Sequence, residues 1–184
     1  GCSVSMVIKS IFTLFALLIS QHSYALKITV SIPPLAGMVA PLLSEEDQLE
    51  VLLKPGASPH GFQLKPSDLR ALTDSDLVLW VASPVDSWMQ KPLANLGVTE
   101  LNLKGLSGIK VLPIRQGGLW EKKSHNHEHE HPHSAVSELK RMDGHLWLSF
   151  ENSRLLIEAV SKKLQILKPN EAGDIKQRTL VWLN

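Results

Sequence analysis

Apolar positions in this chain follow two rhythms in turn. Leu26-Lys27-Ile28-Thr29-Val30-Ser31 is short and β-branched and reads as a strand. Pro33 and Pro34 then open a predicted helix, with Leu35, Met38, Val39, Leu42 and Leu43 on one face. Leu49 to Leu53 reads as a second strand, and Lys54-Pro55-Gly56-Ala57-Ser58-Pro59-His60-Gly61 as a loop. Pro66 and Ser67 start another helix, in which Leu69 and Leu72 are expected to face inward. The nearly continuous run Leu77-Val78-Leu79-Trp80-Val81 fits a central strand buried on both faces. A helix around Trp88 to Leu96 and a strand over Glu100 to Leu103 complete the alternation. Strands separated by helices predict α/β architecture, a parallel sheet flanked by helices on both sides.

The rhythm breaks from about 107 to 141, where Gly117, Gly118 and Lys122-Lys123 predict a long loop of the kind that is functional or disordered. Order resumes at Asp143-Gly144-His145-Leu146-Trp147-Leu148-Ser149. Ser149 is placed to cap a helix running to Leu167, with Leu155, Leu156, Ala159, Val160 and Leu164 as its apolar stripe, and Pro169 interrupts it.

The N-terminus carries a different signal. Lys9, the apolar run Ile11 to Ile19 and the small residues of Ser23-Tyr24-Ala25 form the pattern of a secretory signal peptide cleaved after Ala25. Residues 1–5 precede the expected start at Met6. The one cysteine, Cys2, lies upstream of that signal, so the exported chain is expected to have no disulfide and no thiolate metal site. A net charge of +1 with interspersed signs gives no electrostatic case for nucleic acid as a partner.

Five of the eight histidines lie in one acidic stretch: His125, His127, His129, His131 and His133, with Glu128 and Glu130 between them. Neutral imidazole suits zinc, copper and nickel. Neighbouring rings, at i and i+2, share no helix face, and those four apart would do so only if this polar, Pro-interrupted stretch were helical, so convergence on a metal requires ordering a polar loop, and affinity should be modest. The tract reads as an accessory metal collector or as a solvated linker. Outside it, His60 in the Pro/Gly loop and His145 before the capped helix are the candidate ligands, each weighed against an ordinary solvated or structural histidine. Asp143 is a candidate to orient the His145 ring from behind. The five tryptophans read as packing residues. The letters H-E-x-x-H occur at 127–131 and 129–133, but inside a polar stretch interrupted by Pro132, with no apolar run to build the helix that motif requires, so zinc hydrolysis is not expected.

Gly56-Ala57-Ser58-Pro59-His60-Gly61-Phe62-Gln63-Leu64-Lys65-Pro66-Ser67-Asp68-Leu69 resembles the first-ligand segment of the zinc-binding solute receptors of bacterial ABC importers. Asp143-Gly144-His145-Leu146-Trp147-Leu148-Ser149-Phe150-Glu151-Asn152 resembles that family's second-ligand segment, D-x-H-x-W-L-S-P-x-N, with Phe150 in the place of proline. A His-rich acidic loop between the two is typical of the family's zinc-specific branch, the ZnuA type. The resemblance runs from about Leu26 to the end of the chain.

It implies a cleft between two α/β lobes joined by a long helix, with zinc held by three histidines and a carboxylate or water. His60 and His145 occupy the first two histidine positions. The other ligands would come from the second lobe, and no histidine follows His145. The expectation is therefore a C-terminally truncated chain: signal peptide 1–25, metal-binding lobe 26–149, and 150–184 as the start of the linking helix, with the second lobe absent.

The implied function is capture of Zn2+ in the periplasm for delivery to the membrane permease of an ABC importer, with no enzymatic activity. The alternative is a periplasmic zinc buffer or chaperone acting through the tract. Either needs neutral imidazole, so binding should weaken below about pH 6.5.

Overall fold

The computed structural model describes residues 24–59, 61–111 and 145–184. The apolar run Ile11 to Ile19, read above as part of an expected signal peptide, His60, the histidine tract and Asp143 lie outside the described residues.

Four parallel strands, β1 (Lys27–Val30), β2 (Gln48–Val51), β3 (Leu77–Trp80) and β4 (Glu100–Asn102), form one sheet in the order β2-β1-β3-β4. The helices are α1 (Pro33–Val39), α2 (Pro66–Thr73), α3 (Gln90–Leu96), α4 (Phe150–Leu167) and α5 (Ala172–Leu183). The parallel sheet with helices on both faces matches the sequence expectation. β3 is buried at all four positions, as a continuous apolar run requires of a central strand.

The two faces of the sheet bury separate cores. On one, Ile28, Val30, Leu77, Leu79 and Leu101 pack with Leu35, Val39 and Leu42 of the first helical segment and with Leu156, Val160, Leu164 and Ile175 of α4 and α5. On the other, Val78 and Trp80 pack with Leu52, Leu72, Met89 and Leu93. Successive β3 side chains thus alternate between cores, which is the period of two that a pleated strand imposes.

Two details depart from expectation. The helix expected to run through Leu43 ends at Val39 and continues as a 3₁₀ turn, Ala40–Leu42. Pro41 has no N–H to continue the α-helical ladder, although Ala40 before it keeps helical angles. Leu69, expected to face inward, is 39% exposed; α2 has only eight residues and buries Leu72 alone.

α4 runs antiparallel to the strands, as its contacts at each end show. Its first turn holds Lys110, which follows β4, whereas Lys168 at its far end pairs with Asp47, which precedes β2. The N-terminus of α4 therefore lies at the edge where the strands end. That carboxyl edge is where open α/β sheets place ligands, at the point between β1 and β3 where the chain reverses its winding.

Candidate metal site

Three segments meet the carboxyl edge of the sheet with chemistry to offer. The first is the loop after β2. Pro59 and Gly61 flank position 60 within it, and Gly61 adopts φ +76°, a backbone region that favours glycine. Phe62 then packs its ring against Trp88, with centroids 4.6 Å apart and planes tilted by 55°. Trp88 belongs to the 3₁₀ turn Ser87–Met89 that follows β3. The loop after β2 is thereby fastened to the segment after β3 two residues beyond position 60.

The second segment is the end of β3 itself. Ala82 has φ 105°, a conformation that costs an L-residue about 1–3 kcal/mol. Asp86, fully buried, holds it there. One carboxylate oxygen accepts from the Ala82 N–H at 2.7 Å, and the other accepts from the Val81 N–H at 2.8 Å and from the Ser31 hydroxyl. Ser31 follows β1, so this carboxylate ties β1 to β3 where the winding reverses. Burial pushes the Asp86 carboxyl above its ordinary range, and the three donors pull against it without prevailing.

The third segment carries His145, which is exposed and sits immediately before the 3₁₀ turn Leu146–Leu148. Ser149 caps α4 as the sequence indicates, though its oxygen accepts from the Asn152 N–H at a long 3.5 Å. The Asn152 side chain does more. Its oxygen accepts from the Lys110 N–H at 2.9 Å, and its nitrogen donates to the carbonyls of Lys110 at 2.9 Å and Leu146 at 3.0 Å. Asn152 is 1% exposed, and each of these bonds satisfies a group that burial would otherwise penalise.

Of the residues singled out in the sequence, the structure thus describes His145 and the flanks of position 60. His60, Asp143 and the histidines at 125, 127, 129, 131 and 133 lie outside the described residues. Among the described residues no group of three or more His, Cys, Asp or Glu is placed to hold a metal ion. Sequence reasoning passed over Asp86 and gave no role to Asn152. Asn152 stands at the last position of the second-ligand segment, and that was the one available signal for it.

The packing at the opposite edge is also unanticipated. Lys168, 5% exposed, donates to Asp47 Oδ1 at 3.0 Å, Glu171 Oε1 at 2.9 Å and Ser44 Oγ at 3.1 Å. This network is remote from His145 and fixes the turn between α4 and α5.

The zinc uptake protein ZnuA of Haemophilus ducreyi is 30% identical over 178 residues, covering 92% of this chain and 56% of its own length. The ZnuA of Yersinia pestis is 28% identical over 148 residues, covering 77% of this chain and 46% of its own. The chain spans about half the length of the curated relatives it matches. Among solved structures, a ZnuA crystal structure superposes with a TM-score of 0.65 at 21% identity, covering 87% of this chain and 54% of its own. The periplasmic zinc-binding protein TroA of Treponema pallidum superposes with a TM-score of 0.65 at 18% identity, covering 87% of this chain and half of its own. These two likenesses show the fold. The profile of the family described as ZnuA, zinc-uptake complex component A, periplasmic, matches residues 28–182, and the chain belongs to that family.

Proposed function

We propose that this chain is the zinc-binding part of a solute receptor of an ABC importer. It captures Zn2+ in the periplasm with His60 and His145 and hands it to a membrane permease. The observation that carries this reading is positional. His145 and the loop flanking position 60 both emerge at the carboxyl edge of the sheet, in a chain of a zinc-uptake family.

Two imidazoles fill half of a tetrahedral zinc shell, and the remaining positions go to further protein groups or water. In this reading residues 26–149 form the metal-binding lobe, and 150–184, whose α4 and α5 pack on the core of that lobe, lead toward a connecting helix. Asp143 orients the His145 ring, and the five tract histidines collect metal weakly beside the site.

Calorimetric titration with zinc tests the assignment. Deleting residues 124–134 should leave a zinc site, weaker than a four-ligand one, and His60→Ala or His145→Ala in that background should remove it. If His60→Ala binds zinc as well as its tract-deleted parent, His60 is not a ligand. The second reading, a zinc buffer acting through the tract, is favoured by the concentration of five histidines within nine residues. It predicts the opposite result, loss of all zinc binding when 124–134 is removed.

A further inference from the structure

Asn152 joins two stretches of chain that lie far apart in sequence. Lys110 stands at the end of the described segment after β4, and Leu146 immediately follows His145. One buried amide holds both by three hydrogen bonds, from a helix that packs on the core from its second turn onward through Leu156, Val160 and Leu164. The network leaves no ambiguity about the orientation of the amide, because an N–H faces the oxygen and two carbonyls face the nitrogen. The 3₁₀ turn that begins at Leu146 closes on the His145 carbonyl, to which the Leu148 N–H donates at 3.1 Å. His145 is therefore bounded on its C-terminal side by a turn whose first carbonyl Asn152 grips.

An exposed imidazole on a free loop would have to be ordered at the moment of metal binding, at a cost in conformational entropy. A backbone already fixed by a buried amide avoids that cost.

We propose that Asn152 is a positioning residue for zinc capture: it fixes the backbone that presents His145 and thereby sets the affinity of the site. Asn152 does not touch the metal. The inference rests on the assignment of His145 as a ligand and adds the device that preorganises it. A residue that merely stabilises the start of α4 would lower stability without any coupling to His145.

The test is a double-mutant cycle on the full chain, with zinc affinity measured against a competing chelator so that only the tighter site is read. Asn152→Ala should weaken zinc binding about tenfold, the scale on which loss of an outer hydrogen bond affects a metal ligand. In a His145→Ala background the same substitution should have no further effect. Asn152→Ser keeps a polar group without burying a charge against the two carbonyls, but is too short to hold Lys110 and Leu146 together. It gives the same comparison if the alanine variant does not fold. Equal losses in the two backgrounds, or no loss where His145 is intact, overturn the positioning role alone. If His145→Ala binds zinc as tightly as the parent, the ligand assignment falls and the positioning role falls with it.

Discussion

The Lys168 ammonium lies 3.0 Å from Asp47 Oδ1, a pairing across 121 positions that closes the amino edge of the fold. Both side chains are nearly inaccessible, at 3% and 2%. Asp47 also accepts from the N–H groups of Leu26 and Ser44, each at 2.9 Å, so the same carboxylate sets the entry to β1 and the turn before β2. Lys168→Met would leave Asp47 buried with its backbone donors but without its counter-charge. Removing one partner of a buried pair costs about 3–5 kcal/mol, and urea denaturation should show a loss of that order. A midpoint shift equivalent to less than about 1 kcal/mol would mean the pair behaves like an exposed one.

The buried carboxylates predict opposite responses to acid. Burial works to raise the Asp47 carboxyl, but the Leu26 and Ser44 N–H groups and the Lys168 ammonium outweigh it and hold it below 3.8. Its contribution to stability is present above the unfolded value and is lost as pH falls through the depressed folded one. Asp86 has the reverse sign, because burial raises it above 3.8. The folded state holds its proton more tightly than the unfolded chain does, so its contribution is largest in acid and drains as pH rises through the raised value. Stability measured between pH 6 and 2 should therefore lose part of its acid slope in Asp47→Asn and become steeper in Asp86→Asn. Slopes that change in the same direction would contradict this account.

Lys168 sets the alkaline limb. Burial pulls the ammonium down, but its hydrogen bonds to Glu171 and Asp47 prevail and hold it above 10.5. Its contribution is intact below the unfolded value and is lost as pH rises through the raised folded one. The alkaline loss of stability should be shallower in Lys168→Met than in the parent.

Phe62 and Trp88 fasten the loop after β2, and the tilted ring pair predicts a measurable coupling. Leucine at each position alone and at both should give a double-mutant coupling of about 0.5–1.5 kcal/mol in stability. Additive effects would mean that each ring contributes only through the area it buries.

Much of this architecture is legible in the residues themselves. The four strands announce themselves as short apolar runs between Pro, Gly and polar punctuation, and Ser149 marks the start of α4 as the capping rule predicts. Pro41 is equally visible, but a helical stripe that continues through Leu42 and Leu43 conceals the break it imposes. Lys168 is not legible at all. Lysine is seldom buried, and of the two carboxylates that make burial tolerable only Glu171 is local; Asp47 lies on a segment more than a hundred positions away. Asp86 is hidden for a similar reason. Two of its three donors are local, at Val81 and Ala82, but the third is on Ser31, and only the pairing of β1 with β3 brings that hydroxyl near. Sequence period reports which face a residue occupies, whereas these polar hubs depend on which segments the topology makes neighbours.

Gly61 offers a way to separate backbone conformation from packing beside position 60. A Cβ added there meets no atom within 4 Å, so no side-chain clash opposes a substitution. Its φ of +76° remains, and holding an ordinary L-residue in that region costs about 1–2 kcal/mol. Gly61→Ala should therefore lower stability by about that amount, or relieve the strain by shifting the loop that carries His60. Zinc affinity distinguishes the two results. If the loop holds, binding is unchanged and the thermal midpoint falls; if it yields, the midpoint is kept and binding weakens. Gly61→Asn should be milder on both measures, because asparagine visits the left-handed region more readily than alanine. Asparagine and alanine behaving alike, with neither stability nor affinity altered, would show that the positive φ imposes nothing on the loop after β2.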